Sequence, residues 1–133
     1  MDLTKFEPAT ASIEGVKMEL YHPVTEVSFE PPIYITVIGI DSDVYRAAQR
    51  ELTNKRLKKA QARNRFRFQA TAEELEQDSI DLLAKSVLGW ENIEWEGKTL
   101  PFSYDNAKKI VTVPWIREQI DTFVGDRANF LKT

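Results

Sequence analysis

The sequence predicts an α+β fold, a small N-terminal antiparallel β-sheet followed by a mostly helical body of about four helices, and three observations predict it. Val16 to Tyr21 alternates apolar and polar side chains with period two, Ile33 to Ile38 is a β-branched and aromatic run closed by Gly39, and beyond Asp41 the apolar residues fall three and four apart. At 133 residues the chain suits one domain, 1–133, with a β-rich part to about residue 40 behind a flexible N-terminus. The helical part, about 41–133, is interrupted by a short hairpin or loop near 90–101.

The first strand ends at His22-Pro23. Val27 and Phe29 suggest a second short extended piece, and Pro31-Pro32 should forbid regular pairing because neither residue has a donor N–H. Ile33 to Ile38 then forms the strongest strand of the chain. At Asp41-Ser42-Asp43 short acceptor side chains are placed to satisfy free N–H groups, so a long helix is expected to start there. Val44, Ala48 and Leu52 give it an apolar stripe, which thins beyond Leu57 into Lys58, Lys59, Arg63, Arg65 and Arg67 with Phe66 and Phe68 between them; packing is expected of the N-terminal half.

Thr71-Ala72-Glu73-Glu74 fits a capping box opening the next helix, with Leu75, Leu82, Leu83 and Val87 on one face and Ile80, Ala84 and Leu88 widening it. Gly89 is the expected stop. Trp90 to Pro101 reads as a hairpin or structured loop around Glu96-Gly97-Lys98, with Trp90, Ile93 and Trp95 available to the core. Ser103 caps a short helix through Ile110, and Pro114 suits the first turn of a last helix that buries Ile116, Ile120, Phe123, Val124 and Leu131.

Composition narrows function. Hydrophobic residues make up 42% of the chain, enough for a core, and the absence of Cys removes disulfides, thiolate catalysis and Cys-ligated zinc. With His22 as the single histidine, neither a His metal cluster nor a Ser-His dyad with a spare base is available, and beside Pro23 it reads as a turn residue. Asp41-Ser42-Asp43 superficially matches the start of a calcium loop, but Arg46 and Leu52 stand where that loop needs Gly and Glu, so capping is the better reading. Glu91, Glu94 and Glu96 near Trp90 and Trp95 suggest paired acids at a sugar site, yet hairpin alternation explains them at less cost. The five glycines never cluster into a phosphate-cradling loop. No stretch has the apolar length of a secretory signal or a membrane span, so the expectation is a non-enzymatic protein without cofactor or membrane contact that stays inside the cell.

Charge is uneven. From Arg46 to Arg67 there are nine Lys or Arg against Glu51 alone, a local balance of +8 that leaves −11 for the rest of a chain whose total is −3. Basic residues with Phe66 and Phe68 interleaved have the chemistry of single-strand binding, phosphate neutralisation plus ring stacking. The overall acidity weighs against nucleic acid and toward a protein partner or a solvated face.

Three stretches carry a family resemblance. The first is Leu20-Tyr21-His22-Pro23-Val24-Thr25 with Ile33 to Val37, Gly39-Ile40-Asp41-Ser42 and Tyr45-Arg46. The second is Gly89-Trp90-Glu91-Asn92-Ile93 with Gly97-Lys98, Leu100-Pro101-Phe102-Ser103 and Asn106-Ala107. The third is Trp115-Ile116-Arg117-Glu118-Gln119-Ile120, continuing through Phe123 to Asp126-Arg127-Ala128-Asn129-Phe130-Leu131. From about Val16 onward the chain thereby resembles the phage tail assembly chaperones of long-tailed, siphophage-type phages and prophages. The resemblance implies a factor of the host bacterial cytoplasm that binds the tape measure protein, keeps it soluble and helps recruit tail tube subunits during tail morphogenesis. Self-association is a further allowed contact. The partner-binding candidates are Arg46, Arg50, Arg56, Lys59, Arg63 and Phe66 on the basic helix, and Arg117, Asp126, Arg127 and Phe130 at the C-terminal end. Two of these have plainer readings, Phe130 as core and Arg117 as an i,i+4 partner of Asp121. The alternatives are a small nucleic-acid-binding protein using segment 46–67 and a structural tail component.

Overall fold

The computed structural model describes Leu3 and residues 15–63 and 71–130. The expected flexible N-terminus, Phe66, Phe68, Arg65, Arg67 and Leu131 lie outside the described residues. The fold is α+β, as expected. In order it comprises β1 (Val16–Tyr21), β2 (Ser28–Val37), α1 (Asp43–Arg63), α2 (Ala72–Ser86), β3 (Val87–Glu91), β4 (Glu94–Trp95), β5 (Lys98–Thr99), α3 (Tyr104–Thr112), α4 (Pro114–Gly125) and a 3-10 helix (Arg127–Phe130).

The main sheet is antiparallel in the order β1-β2-β3. Met18, Leu20, Ile35 and Val37 alternate onto its covered face, where α2, α3 and α4 supply Leu83, Ala84, Ile110, Val111, Ile120 and Val124. The third strand corrects the sequence reading. Gly89 does not stop a helix: α2 ends at Ser86, and Val87–Glu91 pairs with Tyr34–Val37. The physical reason is that the sheet edge on β2 offers backbone partners the helix end lacks, while β-branched Val87 fills the core opposite Val37. Ser86 makes the switch, its buried hydroxyl donating to the Leu83 carbonyl (2.6 Å) and its own carbonyl accepting from the Ile38 N–H (2.8 Å). A strand sends consecutive side chains to opposite faces, so Leu88 faces out instead of widening the helix face. Leu75 is likewise exposed, and the buried face of α2 is Ile80, Leu83 and Ala84.

Pro31-Pro32 lies within β2, which joins the two expected extended pieces into one strand. It does disturb the ladder: pairing passes from Leu20 opposite Ile33 directly to Tyr21 opposite Ser28. The hairpin is where expected. Trp95 pairs with Lys98 across Glu96 (φ 52°) and Gly97 (φ 79°), the two positive φ values of a type I′ turn. Trp90 holds this hairpin down by donating from Nε1 to the Leu100 carbonyl (2.8 Å).

The helix starts follow the sequence. Ser42 Oγ accepts from the Tyr45 N–H, Thr71 Oγ1 from Glu74 N–H and Ser103 Oγ from Asn106 N–H, each at 3.1 Å, and Pro114 occupies the first turn of α4. The apolar stripe of α1 is narrower than predicted, because Ala48 is buried while Val44 is exposed.

Candidate functional site

Among the described residues, two grooves and one charged helix surface offer the most distinct chemistry to a partner. Each is set by a local device in the sequence.

The first groove lies between the β1–β2 turn and α4. His22 builds the turn: its Nδ1 accepts from the Val24 N–H (3.1 Å) and the Thr25 N–H (3.2 Å), as a turn residue should. Gln119 then ties α4 to the strand, donating from Nε2 to the Tyr21 carbonyl (2.9 Å) and accepting at Oε1 from the Tyr21 N–H (3.0 Å). The amide takes both backbone positions of Tyr21, as a neighbouring strand would. Phe29 sits between the His22 ring (5.9 Å) and the Trp115 ring (6.4 Å) and supports the wall. The result is a groove of about 560 Å³ whose walls include Tyr21, Trp115 and Phe123 and whose charged side chains are Glu19, Glu26, Glu118 and Asp126. No described Lys or Arg lines it. Glu19 accepts from the Ser28 hydroxyl and Asp126 from the Ala128 N–H (3.0 Å), so all four carboxylates lack a cationic partner among the described residues. Among those residues no three acidic or histidine side chains converge as metal ligands; the acids are spread along the groove.

The second groove, of about 590 Å³, is apolar and lies where α1, α2, β3 and the approach to α3 meet. Val44 (55% exposed), Leu88 (44%), Phe102 (45%) and Tyr104 (41%) present their side chains to it. Ala47, Ala48 and Ala84 keep its floor low, and the Lys85–Glu51 ion pair (3.2 Å) borders it. Phe102 is held edge-on against Trp90, ring centroids 5.1 Å apart.

The charged surface belongs to α1. Lys55, Lys58 and Lys59 share one face with Asn54 and Glu51. None of these lysines forms an ion pair with a described residue, and Glu51 is committed to Lys85.

The sequence-predicted candidates do not converge on one surface. Arg46 and Arg127 both reach Asp41, at 3.5 and 2.8 Å, which ties the start of α1 to the C-terminal 3-10 helix. This pairing and its hydrogen bond hold the Arg127 pKa above its ordinary range. Arg56 pairs with Asp78 (2.8 Å), joining α1 to α2. Arg117 pairs with Glu76 (3.2 Å) on α2, not with Asp121, and its Nη1 is buried without a hydrogen-bond partner among the described residues. Phe130 is 1% exposed and packs edge-on against Phe123 (5.9 Å), so it is core and corrects the surface placement. Arg50 is exposed and Lys59 partly buried on α1, Arg63 ends α1, and among the described candidate side chains only Asp126 lines the acidic groove. Sequence reasoning missed both grooves because each joins residues far apart in the chain, Val44 with Leu88 and Phe102, or Glu26 with Glu118.

Among the described residues no helix is long and apolar enough to cross a membrane. Comparison of the chain with protein-family models, with characterised proteins and with solved structures finds no match.

Proposed function

We propose that this chain is a phage tail assembly chaperone: a non-enzymatic protein of the host bacterial cytoplasm that captures the tape measure protein, keeps it soluble and helps recruit tail tube subunits. The observation that carries this reading is the apolar groove with Val44, Leu88, Phe102 and Tyr104 open to solvent. A groove of this shape takes the apolar face of a partner helix, the mode in which an amphipathic segment is held by a few side chains spaced along one stripe. Covering about half of each of the four side chains contributes on the order of 4 kcal/mol before the cost of association, which suits reversible capture over permanent assembly. The ion pair of Lys85 and Glu51 at its border keeps the occupied complex wetted on the outside. The family resemblance of the three sequence stretches supports the identity of the partner.

The test is co-expression with the tape measure protein encoded in the same genome, scoring its solubility and its co-purification. The wild-type chain is expected to keep that protein soluble, and Leu88→Glu or Phe102→Glu is expected to lose it while the variant itself stays folded by circular dichroism. Unchanged capture by both variants would remove the groove from the proposal. Salt-sensitive binding of single-stranded DNA beside an insoluble tape measure protein would turn the assignment to a nucleic-acid-binding protein using α1.

A further inference from the structure

The acidic groove and the lysine face of α1 are complementary, and neither has an oppositely charged partner among the described residues. Lys55 and Lys59 are four residues apart and Lys55 and Lys58 three, so their ammonium groups crowd one face, an arrangement that destabilises a helix until counter-charge is supplied. Beyond Ala48 no described side chain of α1 is buried, and Leu57 is 57% exposed, so packing supplies little that would hold this half of the helix. Glu19, Glu26, Glu118 and Asp126 crowd the groove with negative charge in the same way. The groove also holds Trp115, Phe123 and Tyr21, on which lysine stems pack and whose ring faces attract an ammonium group. The distribution of the acids along a walled groove suits several cations in a row, as a helix face carries them, over a single ion.

We propose that the chain associates with a second copy of itself head to tail, the Lys55–Lys58–Lys59 face of α1 in one copy docking in the acidic aromatic groove between the β1–β2 turn and α4 of the next. The two surfaces differ, so the contact is heterologous: each copy retains a free lysine face and a free groove at the ends, and association proceeds to rings or open chains instead of stopping at a two-fold dimer. The contact is charge-driven and rim-exposed, which makes it strong at low salt and weak once the Debye length falls below the spacing of the charges. It uses neither Leu88 nor Phe102, so it stands or falls apart from the tape measure proposal.

The experiment is sedimentation velocity with light scattering on the pure full-length chain, at about 50 mM and about 500 mM salt. Wild type is expected to form concentration-dependent oligomers at the lower salt and to dissociate at the higher. K55E/K58E/K59E and E26K/E118K, which reverse charges that form no ion pair among the described residues, are each expected to weaken association by at least about tenfold. Mixed together the two variants are expected to co-assemble in one-to-one alternation, because the lysine face of one meets the acidic groove of the other and the reversed face meets the reversed groove. Combining both sets of reversals in one chain should restore oligomers. A wild-type chain that stays monomeric at low salt, oligomers that both variants retain, or a mixture that fails to pair would each overturn the proposal. Circular dichroism of each variant separates lost association from lost folding.

Discussion

α1 and α4 are both helices with an apolar stripe in the sequence, and the structure treats them in opposite ways. α4, with 12 residues, buries Ile116, Ile120 and Val124 against the sheet and α2. α1, with 21 residues, fully buries only Ala48 among its described side chains, packs Tyr45 partly against the core, and is otherwise held by its cap on Ser42 and by ion pairs of Arg46, Glu51 and Arg56. Burial of branched apolar side chains stabilises by kilocalories apiece, whereas exposed ion pairs and caps contribute about one or less. The longer helix is therefore the weaker attachment, and its outer half is free to present charge to a partner.

The largest way to test this contrast is Ile120→Ala. A fully buried Ile in the centre of the core should cost about 3 kcal/mol, read as a lowered midpoint in guanidinium unfolding. Leu57→Ala in α1 should stay within about 0.5 kcal/mol, and a comparable loss there would end the distinction between the helices. Gln119→Ala comes next. It leaves both backbone groups of Tyr21 to water and should cost about 1 to 2 kcal/mol in the same assay, with amide exchange at Tyr21 accelerating selectively. Ser42→Ala removes the side-chain acceptor at the start of α1 and should cost about 1 kcal/mol, with the loss of protection concentrated in the first turn of that helix.

The smallest expected effect is on the alkaline limb of stability. Partial burial, reinforced by Asp121, raises the Tyr45 pKa above its ordinary 10.0. The folded chain then keeps a phenolic proton that the unfolded chain releases, so stability falls as pH rises past 10.0. Tyr45→Phe should make that fall shallower. Lys108 adds a second contribution, because its hydrogen bond and ion pair with Asp81 raise its pKa above 10.5. The stabilisation from that pair is complete below the unfolded value and is lost as pH rises through the folded one, so it should persist in the Tyr45→Phe variant. Urea midpoints measured from pH 9 upward in both proteins check the two contributions separately.

Legibility in the sequence tracked how local the controlling interaction was. Ser42, Thr71 and Ser103 bond to backbone groups three residues on, and Glu96-Gly97 sets the hairpin by its own dihedral angles, so all four could be read from neighbours alone. Local preference places a helix end at Val87–Gly89 and a loop from Trp90, because the partner of Val87–Glu91, β2, is some fifty residues earlier in sequence, a tertiary contact that overrides local preference. Phe130 and Arg117 were ambiguous for the same reason: their packing is decided by Phe123 across a turn and by Glu76 on another helix. The sequence by itself determined the α+β class, the helix starts, the tight turn and the uneven charge, since each depends on spacing within a few residues or on counting. Only the tertiary structure decided the third strand, the two grooves and which cations are paired, because these depend on chain segments meeting across the fold, where backbone pairing and shared burial outweigh the propensity of either segment alone.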